Sequence, residues 1–302
     1  MTKTERAIYT KYDIETKGDK LITPIPGVCI YPILKDNNSK LNGDKKERAA
    51  RMSDPAANHN IIWTFGTLPT DLVFESKTCG KICGTCNCTC TNCNGEIACY
   101  GMQGFYKFNI DNMAIKTVLI REYLEWTKRA IMAQLEIIGG GVDIRLHDTG
   151  DFDNAEYLNA WIDIIMAFPN NRFWTYTKRQ EFETAFDNLP NANIVRSVIP
   201  GAGFNFGHID YILNMYRYLV AIGETPYICR CGIDKMQHCY NCSNCITNKY
   251  VLFVEHSTEY KAQNDPLFND MAIILDMQQR GETPDNIAAF IESVIYKVQN
   301  AA

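Results

Sequence analysis

The chain has 302 residues, with 30 basic and 35 acidic side chains and a formal net charge of −5. It is long enough to bury a core without covalent staples. The acidic balance argues against binding nucleic acid by bulk charge and leaves only a local basic patch; no run nears 18 apolar residues, so no membrane span is expected.

Residues 1–60 carry the weakest pattern and read as an N-terminal extension. Met1 to Lys20 is polar, without the apolar core of a secretion signal, which predicts a cytoplasmic protein. Val28 to Leu34 reads as a strand. The charged run from Lys35 to Arg48 reads as a loop or mobile segment. Regular structure is expected from residue 61. Ile61 to Gly66 and Leu72 to Phe74 are strand candidates, and one long helix fits Asp111 to Ile138, ended by Gly139. Val142 to Leu146 alternates as a strand does. A helix follows with Asp153 as cap and Glu156 three residues on, and Phe152 with Tyr157 as the staple. Phe173 to Tyr176 is a strand, and Thr177 with Gln180 predicts another helix start. Ile194 to Ile199, Pro226 to Cys229 and Tyr250 to Val254 are strands, and His208 to Ile222 is a helix. Two C-terminal helices begin at Asp265-Pro266 and Thr283-Pro284.

Strands alternating with helices predict an α/β fold with a mainly parallel sheet of about six units. An open or partial (β/α) barrel and a doubly wound sheet fit this order equally. Both place chemistry at the carboxyl ends of the strands. The core is expected over 61–260, with 261–302 as helices packed on it.

The 13 cysteines are clustered. Cys79, Cys83, Cys86, Cys88, Cys90, Cys93 and Cys99 form one group, and Cys229, Cys231, Cys239, Cys242 and Cys245 a second; Cys29 stands apart. In a reducing compartment such groups read as metal ligands rather than disulfides. Seven thiolates exceed one tetrahedral site. Zinc and a 4Fe-4S cluster are both compatible with these spacings. Cys239, Cys242 and Cys245 have ferredoxin-like spacing, with Cys229 or Cys231 as the remote ligand.

His147, Asp148, Gly150 and Asp151 fall at the carboxyl end of a predicted strand, where His147, Asp148 and Asp151 are candidate catalytic groups. Lys178 and Arg179 end the next strand, where a helix start would make an anion site. Ser197 and His256 lie at or just beyond later strands.

Two resemblances follow from these motifs. Cys79, Cys83 and Cys86, with three and two intervening residues, resemble the cluster motif of radical S-adenosylmethionine enzymes, although Thr85 stands where an aromatic residue is usual. That similarity implies a 4Fe-4S cluster and S-adenosylmethionine, with Gly150, Asp151, Lys178, Arg179 and Ser197 as cofactor contacts. More specifically, Cys99-Tyr100, the run Arg145 to Phe152, Glu156-Tyr157 with Trp161, Tyr176-Thr177-Lys178, and Cys239/Cys242/Cys245 together resemble the phage gene-product-88-like family over about residues 70–256. That family has no firm activity, so the resemblance implies a phage or mobile-element origin and, with it, the host cytoplasm. Two functions compete. One is a radical S-adenosylmethionine-like enzyme on an unknown substrate. The other is a zinc-stabilised module binding protein or nucleic acid through Arg121, Lys128, Arg129, Lys178 and Arg179.

Overall fold

The computed structural model describes residues 1–53, 61–70, 72–86, 109–199, 201, 203–230, 233, 239–254 and 262–301. The chain divides into two compact units, Met1–Ala192 and Asn193–Ala302.

The first unit opens with helix α1 (Lys3–Lys11), whose start is a capping box between Thr2 and Glu5. Strands β1 (Thr16–Lys17), β2 (Lys20–Ile22) and β3 (Cys29–Ile30) form an antiparallel meander. The segment read as a loop contains two helices instead, α2 (Ser39–Asn42) and α3 (Lys45–Ser53). The cause is local: the Asp44 carboxylate accepts from the Lys46 and Glu47 amides while Glu47 accepts from the Asp44 amide.

Then come β4 (Ile62–Thr64), the hairpin β5 (Val73–Ser76) and β6 (Gly80–Cys83), α4 (Ile110–Glu122), α5 (Leu124–Ile138), β7 (Asp143–Arg145), α6 (Ala155–Ala167) and β8 (Arg172–Thr177). Strands β4, β7 and β8 are parallel, with Ile62 opposite Asp143 and Asp143 opposite Arg172. The β7–α6–β8 run is a βαβ unit. The buried face of α6, including Tyr157, Trp161, Ile164 and Ile165, supplies much of the core, and the Phe65 and Trp161 rings meet edge-on at 5.7 Å. Each such side chain contributes roughly 1.5–3 kcal/mol on burial.

The single helix expected over Asp111 to Ile138 is two. Tyr123 (φ −136°) leaves the helical region between α4 and α5. The Tyr123 amide still donates to the Leu119 carbonyl at 3.0 Å, and the Thr127 hydroxyl adds a second bond to that carbonyl across the break, also at 3.0 Å. The cap of α6 is Asn154 rather than Asp153: its side chain accepts from the Tyr157 amide at 2.8 Å, and Asp153 turns to Arg121. After Thr177 there is only a three-residue 3-10 turn, Gln180–Phe182.

The exposed edge of β4 is covered by the chain at 33–42. Lys35 exchanges both backbone hydrogen bonds with Thr64. The Asn42 carboxamide takes the Ile62 amide at 2.9 Å and gives to its carbonyl at 2.7 Å. Gln134 does the same for Leu34, at 2.8 and 2.7 Å. Asn42 thus imitates a neighbouring strand and closes the β4 edge, while Gln134 satisfies the backbone of the segment that covers it. Asn42→Leu strands two buried backbone groups, so its unfolding free energy in urea should fall by about 2–3 kcal/mol. Lys11→Ala, which removes a surface pair with Glu136, should change it by less than about 1 kcal/mol.

Strand β9 (Ala192–Arg196) begins on the last residue of the first unit and continues into the second, which also contains the antiparallel pair β10 (Val198–Ile199) and β11 (Gly203–Phe204), then β12 (Phe206–Gly207), α7 (Ile209–Ala221), β13 (Pro226–Cys229), α8 (Asn244–Thr247), β14 (Tyr250–Val254), α9 (Phe268–Gln279) and α10 (Pro284–Ala301). Strand β14 lies between β12 and β13, parallel to both. Ile212, Tyr216, Leu252, Met271, Ile274 and Ile291 are among its core residues. Gln278 clamps both backbone groups of Ile228 from α9.

The architecture is therefore α/β with short parallel sheets and several helices, and no closed barrel forms among the described residues. None of the described helices is long and apolar enough to cross a membrane.

Candidate functional site at the strand carboxyl ends

The carboxyl ends of β4 and β7 meet the cysteine hairpin in a tight junction. The Thr67 amide donates to the Thr149 carbonyl, and the Thr149 hydroxyl returns a bond to the Thr67 carbonyl at 2.8 Å. The Thr85 hydroxyl lies 2.9 Å from the Thr67 hydroxyl, donates to the Leu68 carbonyl and accepts from the Asp151 amide at 2.9 Å. Gly150 has φ +86°, and a Cβ there would stand 2.0 Å from the Thr67 hydroxyl oxygen and 2.7 Å from that of Thr85. A Cβ on Gly84 would sit 2.0 Å from the Pro69 carbonyl oxygen. Backbone approach this close requires glycine at both positions. Arg121, from α4, spans the junction: it donates to the carbonyls of Cys83 and Gly84 and forks onto Asp153.

Asp151 is buried at the centre. Its carboxylate accepts from the Thr177 hydroxyl at 2.8 Å, the Lys178 amide at 2.9 Å and its own Phe152 amide at 2.7 Å. Burial pushes its pKa up to about 6 despite these donors. His147 is equally buried, at φ +55°. Its Nδ1 lies 3.0 Å from the Thr175 hydroxyl and its Nε2 3.1 Å from the Tyr157 hydroxyl. The ring meets Phe152 edge-on at 4.7 Å. Burial first, then Arg145, lowers its pKa to about 3, so the imidazole is neutral at physiological pH. Both ring nitrogens and both Asp151 oxygens are thus committed to the protein, and these two residues brace the strand ends.

Asp148 points elsewhere and is partly exposed. Both carboxylate oxygens accept from the Asn38 amide at 3.0 Å, and Arg145 stands 3.6 Å away, its guanidinium 4.9 Å over the Tyr176 ring. Lys178 contributes its amide to Asp151. Arg179 is spent on the Phe152 and Asp153 carbonyls, on Glu181 and on the Phe182 ring. With only a 3-10 turn behind it, this position lacks the helix terminus that an anion site was expected to use. Ser197 is buried in the second unit, its carbonyl accepting from the Asn205 amide.

Among the first group of cysteines, Cys86 is buried next to Thr85 in the chain, Cys79 packs half-buried against the small core of Leu68, Phe74, Met113 and Ala114, and Cys83 is exposed. Ile82 joins that same small core, so Cys83, the next residue along β6, faces the other side of the hairpin. Cys88, Cys90, Cys93 and Cys99 lie outside the described residues. In the second unit Cys229 ends β13, and Cys239, Cys242 and Cys245 precede β14. Burial first, then the charge of Cys242 and Cys229, raises the Tyr227 phenol to about 12. The Asn244 amide reaches the Cys242 sulfur at 3.2 Å, and Asn193 holds the Cys245 and Asn248 carbonyls at 2.9 Å. Cys231 and His256 fall outside the described residues. Among the described residues no three His, Cys, Asp or Glu side chains converge as a metal site.

The basic residues proposed for phosphate contact are mostly paired: Arg121 with Asp153, Lys128 with Asp163, Arg129 with Asp13 and Arg179 with Glu181. Sequence reasoning missed Lys116. It falls on the buried stripe of α4 with Met113, Thr117 and Ile120, and a lysine in such a stripe was the available signal. It also missed the pairing role of Thr67 and Thr85, for which local sequence carries no signal.

Comparison with curated proteins and with solved structures yields no match. A family model described as gene product 88 matches residues 32–199. The match takes in the segment covering β4, the first cysteine group and the whole strand-end junction, and it stops before the second cysteine group. It spans more than half of the chain, and the chain belongs to the gene product 88 family.

Proposed function

We propose that this is a thiolate-ligated metalloprotein of phage or mobile-element origin, working in the host cytoplasm and holding zinc or iron–sulfur clusters through its two cysteine groups. The observation that carries the reading is the anchorage of Thr85 to Thr67, Leu68 and Asp151. It seats Cys86 beside the carboxyl ends of β4 and β7, where parallel sheets place ligands. Cys79 and Cys83 face different surroundings, so in this reading Cys86 shares its metal with thiols from Cys88 to Cys99. Cys229, at the end of β13, and Cys242, before β14, belong to the second site in this reading. Arg121 acts behind the first site by fixing the Cys83 and Gly84 carbonyls. Arg121→Met should therefore weaken metal retention about 10–100-fold in a chelator competition while the fold persists.

Metal and sulfide analysis of anaerobically purified protein tests the reading. Zinc, or iron with sulfide, should be present and should fall in Cys86→Ser and Cys242→Ser. Metal-free wild-type protein with its full fold would exclude it.

A second reading makes the protein a radical S-adenosylmethionine-like enzyme on an open or partial barrel. Its support is the position of the cysteine hairpin against Gly150, at the end of the second parallel strand. Release of 5′-deoxyadenosine from S-adenosylmethionine by the reconstituted protein would support it, and none with iron loaded would remove it. Zinc-stabilised binding of protein or nucleic acid is the remaining alternative; the pairing of Arg121, Lys128, Arg129 and Arg179 weighs against the nucleic-acid form.

A further inference from the structure

A cavity of about 240 Å³ opens at the amino-terminal ends of β7 and β8, at the end of the sheet away from the cysteine hairpin. It lies where α5 and α6 both stop. Glu136 and Gly140 line it from the first helix end, Phe168 and Asn171 from the second. Exposed Gly140, Ala167 and Asn170 on its lining leave it open to solvent.

Helix carbonyls point toward the C-terminus, and the last four of each helix lack an intrahelical partner. Some find one here: Leu135 accepts from the Gly139 amide, and the Asn191 side chain donates to Ile165 and Phe168. The Glu136 and Ala167 carbonyls, both on lining residues, accept no hydrogen bond among the described residues. Neither helix carries a basic residue in its last turn to offset the partial negative charge of that end. Formal charges nearby cancel in pairs. Glu136, the one charged lining residue, is bonded to the mostly exposed Lys11, and Arg172 forks onto Asp143. The two helix ends are left uncompensated. Asn171 is buried; its Oδ1 accepts from the Val142 amide at 3.2 Å, and its Nδ2 has no partner. An open donor in such a place costs free energy until an acceptor reaches it. Leu135, Phe168 and Pro169 give the cavity apolar walls. Unpaired carbonyls at two negative helix ends call for a cation with N–H donors. A bare metal ion would leave Nδ2 unmet, so the fitting ligand also carries an oxygen.

We propose that this cavity binds a small primary alkylammonium bearing a hydroxyl or carbonyl oxygen. The ammonium donates to the helix-end carbonyls beside Glu136, the oxygen accepts from the Asn171 amide, and the stem lies on Leu135 and Phe168. The site stands apart from the cysteine groups and is independent of metal occupancy.

The test is an NMR titration of the full chain, following the Gly139 and Gly140 amides, with aminopentanol against sodium chloride at matched ionic strength. Saturable shifts at both amides are expected with the amino alcohol alone. Pentanediol, which lacks the charge, should bind about tenfold more weakly or worse, and pentylamine, which lacks the oxygen, about threefold more weakly. Glu136→Gln should weaken binding about threefold. Gly140→Leu should abolish it by filling the mouth. A Cβ at that position meets only the Asn170 side chain, at 3.4 and 3.9 Å, so the fold tolerates the change. If Gly140→Leu disturbs the spectrum elsewhere, Glu136→Gln decides alone. Shifts no larger than those with sodium chloride, equal affinity for pentanediol, or unchanged affinity in an intact Gly140→Leu would overturn the proposal.

Discussion

Asp151→Ala should lower the unfolding free energy by about 3–5 kcal/mol. The change leaves the Thr177 hydroxyl and the Lys178 and Phe152 amides facing a cavity in a buried junction. It also loosens the Asp151 amide that donates to Thr85, and through Thr85 the cysteine hairpin. Thr177→Val removes a single donor and should cost about 1 kcal/mol. Urea denaturation of the two variants at pH 7 measures the contrast. A loss below about 1 kcal/mol in Asp151→Ala would mean that Asp151 is not the junction's centre.

The second large effect is on pH dependence. His147 is neutral in the fold, with its pKa lowered from 6.5 to about 3. The unfolded chain takes up a proton below its ordinary value and the folded one does not. His147 therefore destabilises the fold as pH falls from about 6.5 to 3, by up to about 5 kcal/mol in all. Asp151 has the opposite sign. Its pKa is raised from 3.8 to about 6, so the folded chain holds a proton that the unfolded chain releases. Its contribution grows as pH falls from about 6 to 4 and fades as pH rises through 6, by up to about 3 kcal/mol. The two groups offset each other over that window. Asp151→Asn should unmask the histidine, giving stability that drops steeply once pH falls below about 6.5. His147→Asn, which keeps a residue tolerant of positive φ, should instead gain stability between about pH 6 and 4 relative to the wild-type slope. Urea midpoints across this range read both directions. Parallel profiles for wild type and His147→Asn would contradict the assignment of a neutral, buried imidazole.

Much of the fold was legible because it rests on local rules. The strands at 62–64, 143–145, 172–177 and 250–254 follow apolar runs bounded by turn residues, and α7 ends at Ala221, just before Gly223. The capping boxes at Thr2/Glu5 and Asp44/Glu47 were equally readable, and they would have turned the N-terminal extension into helices. The closure of β4 was not readable. Asn42 acts on β4 backbone 20 residues away, Gln134 holds the covering segment from 100 residues away, and nothing beside them in sequence announces either. The break at Tyr123 was hidden for a similar reason, since neither glycine nor proline marks it.

The candidate site divides along the same line. Its position at the carboxyl end of β7 followed from strand order. The roles of its residues did not, because a histidine and an aspartate at a strand end look alike whether they face a ligand or a buried hydroxyl. Thr175 and Tyr157 decide for His147, and Thr177 decides for Asp151, all on other elements. Thr85 shows the converse. It was the residue that weakened the resemblance to the radical motif, and its hydroxyl is what ties the cysteine hairpin to the sheet.

The central claim is that the cysteines bind metal through sulfur at the strand ends. X-ray absorption at the metal edge of anaerobically purified, full-length protein tests it most directly. The account predicts a sulfur shell at about 2.3 Å from zinc or iron that loses intensity in Cys86→Ser. A shell of oxygen and nitrogen alone, or a metal-free protein whose cysteines all react with a thiol reagent while it stays folded, would contradict it.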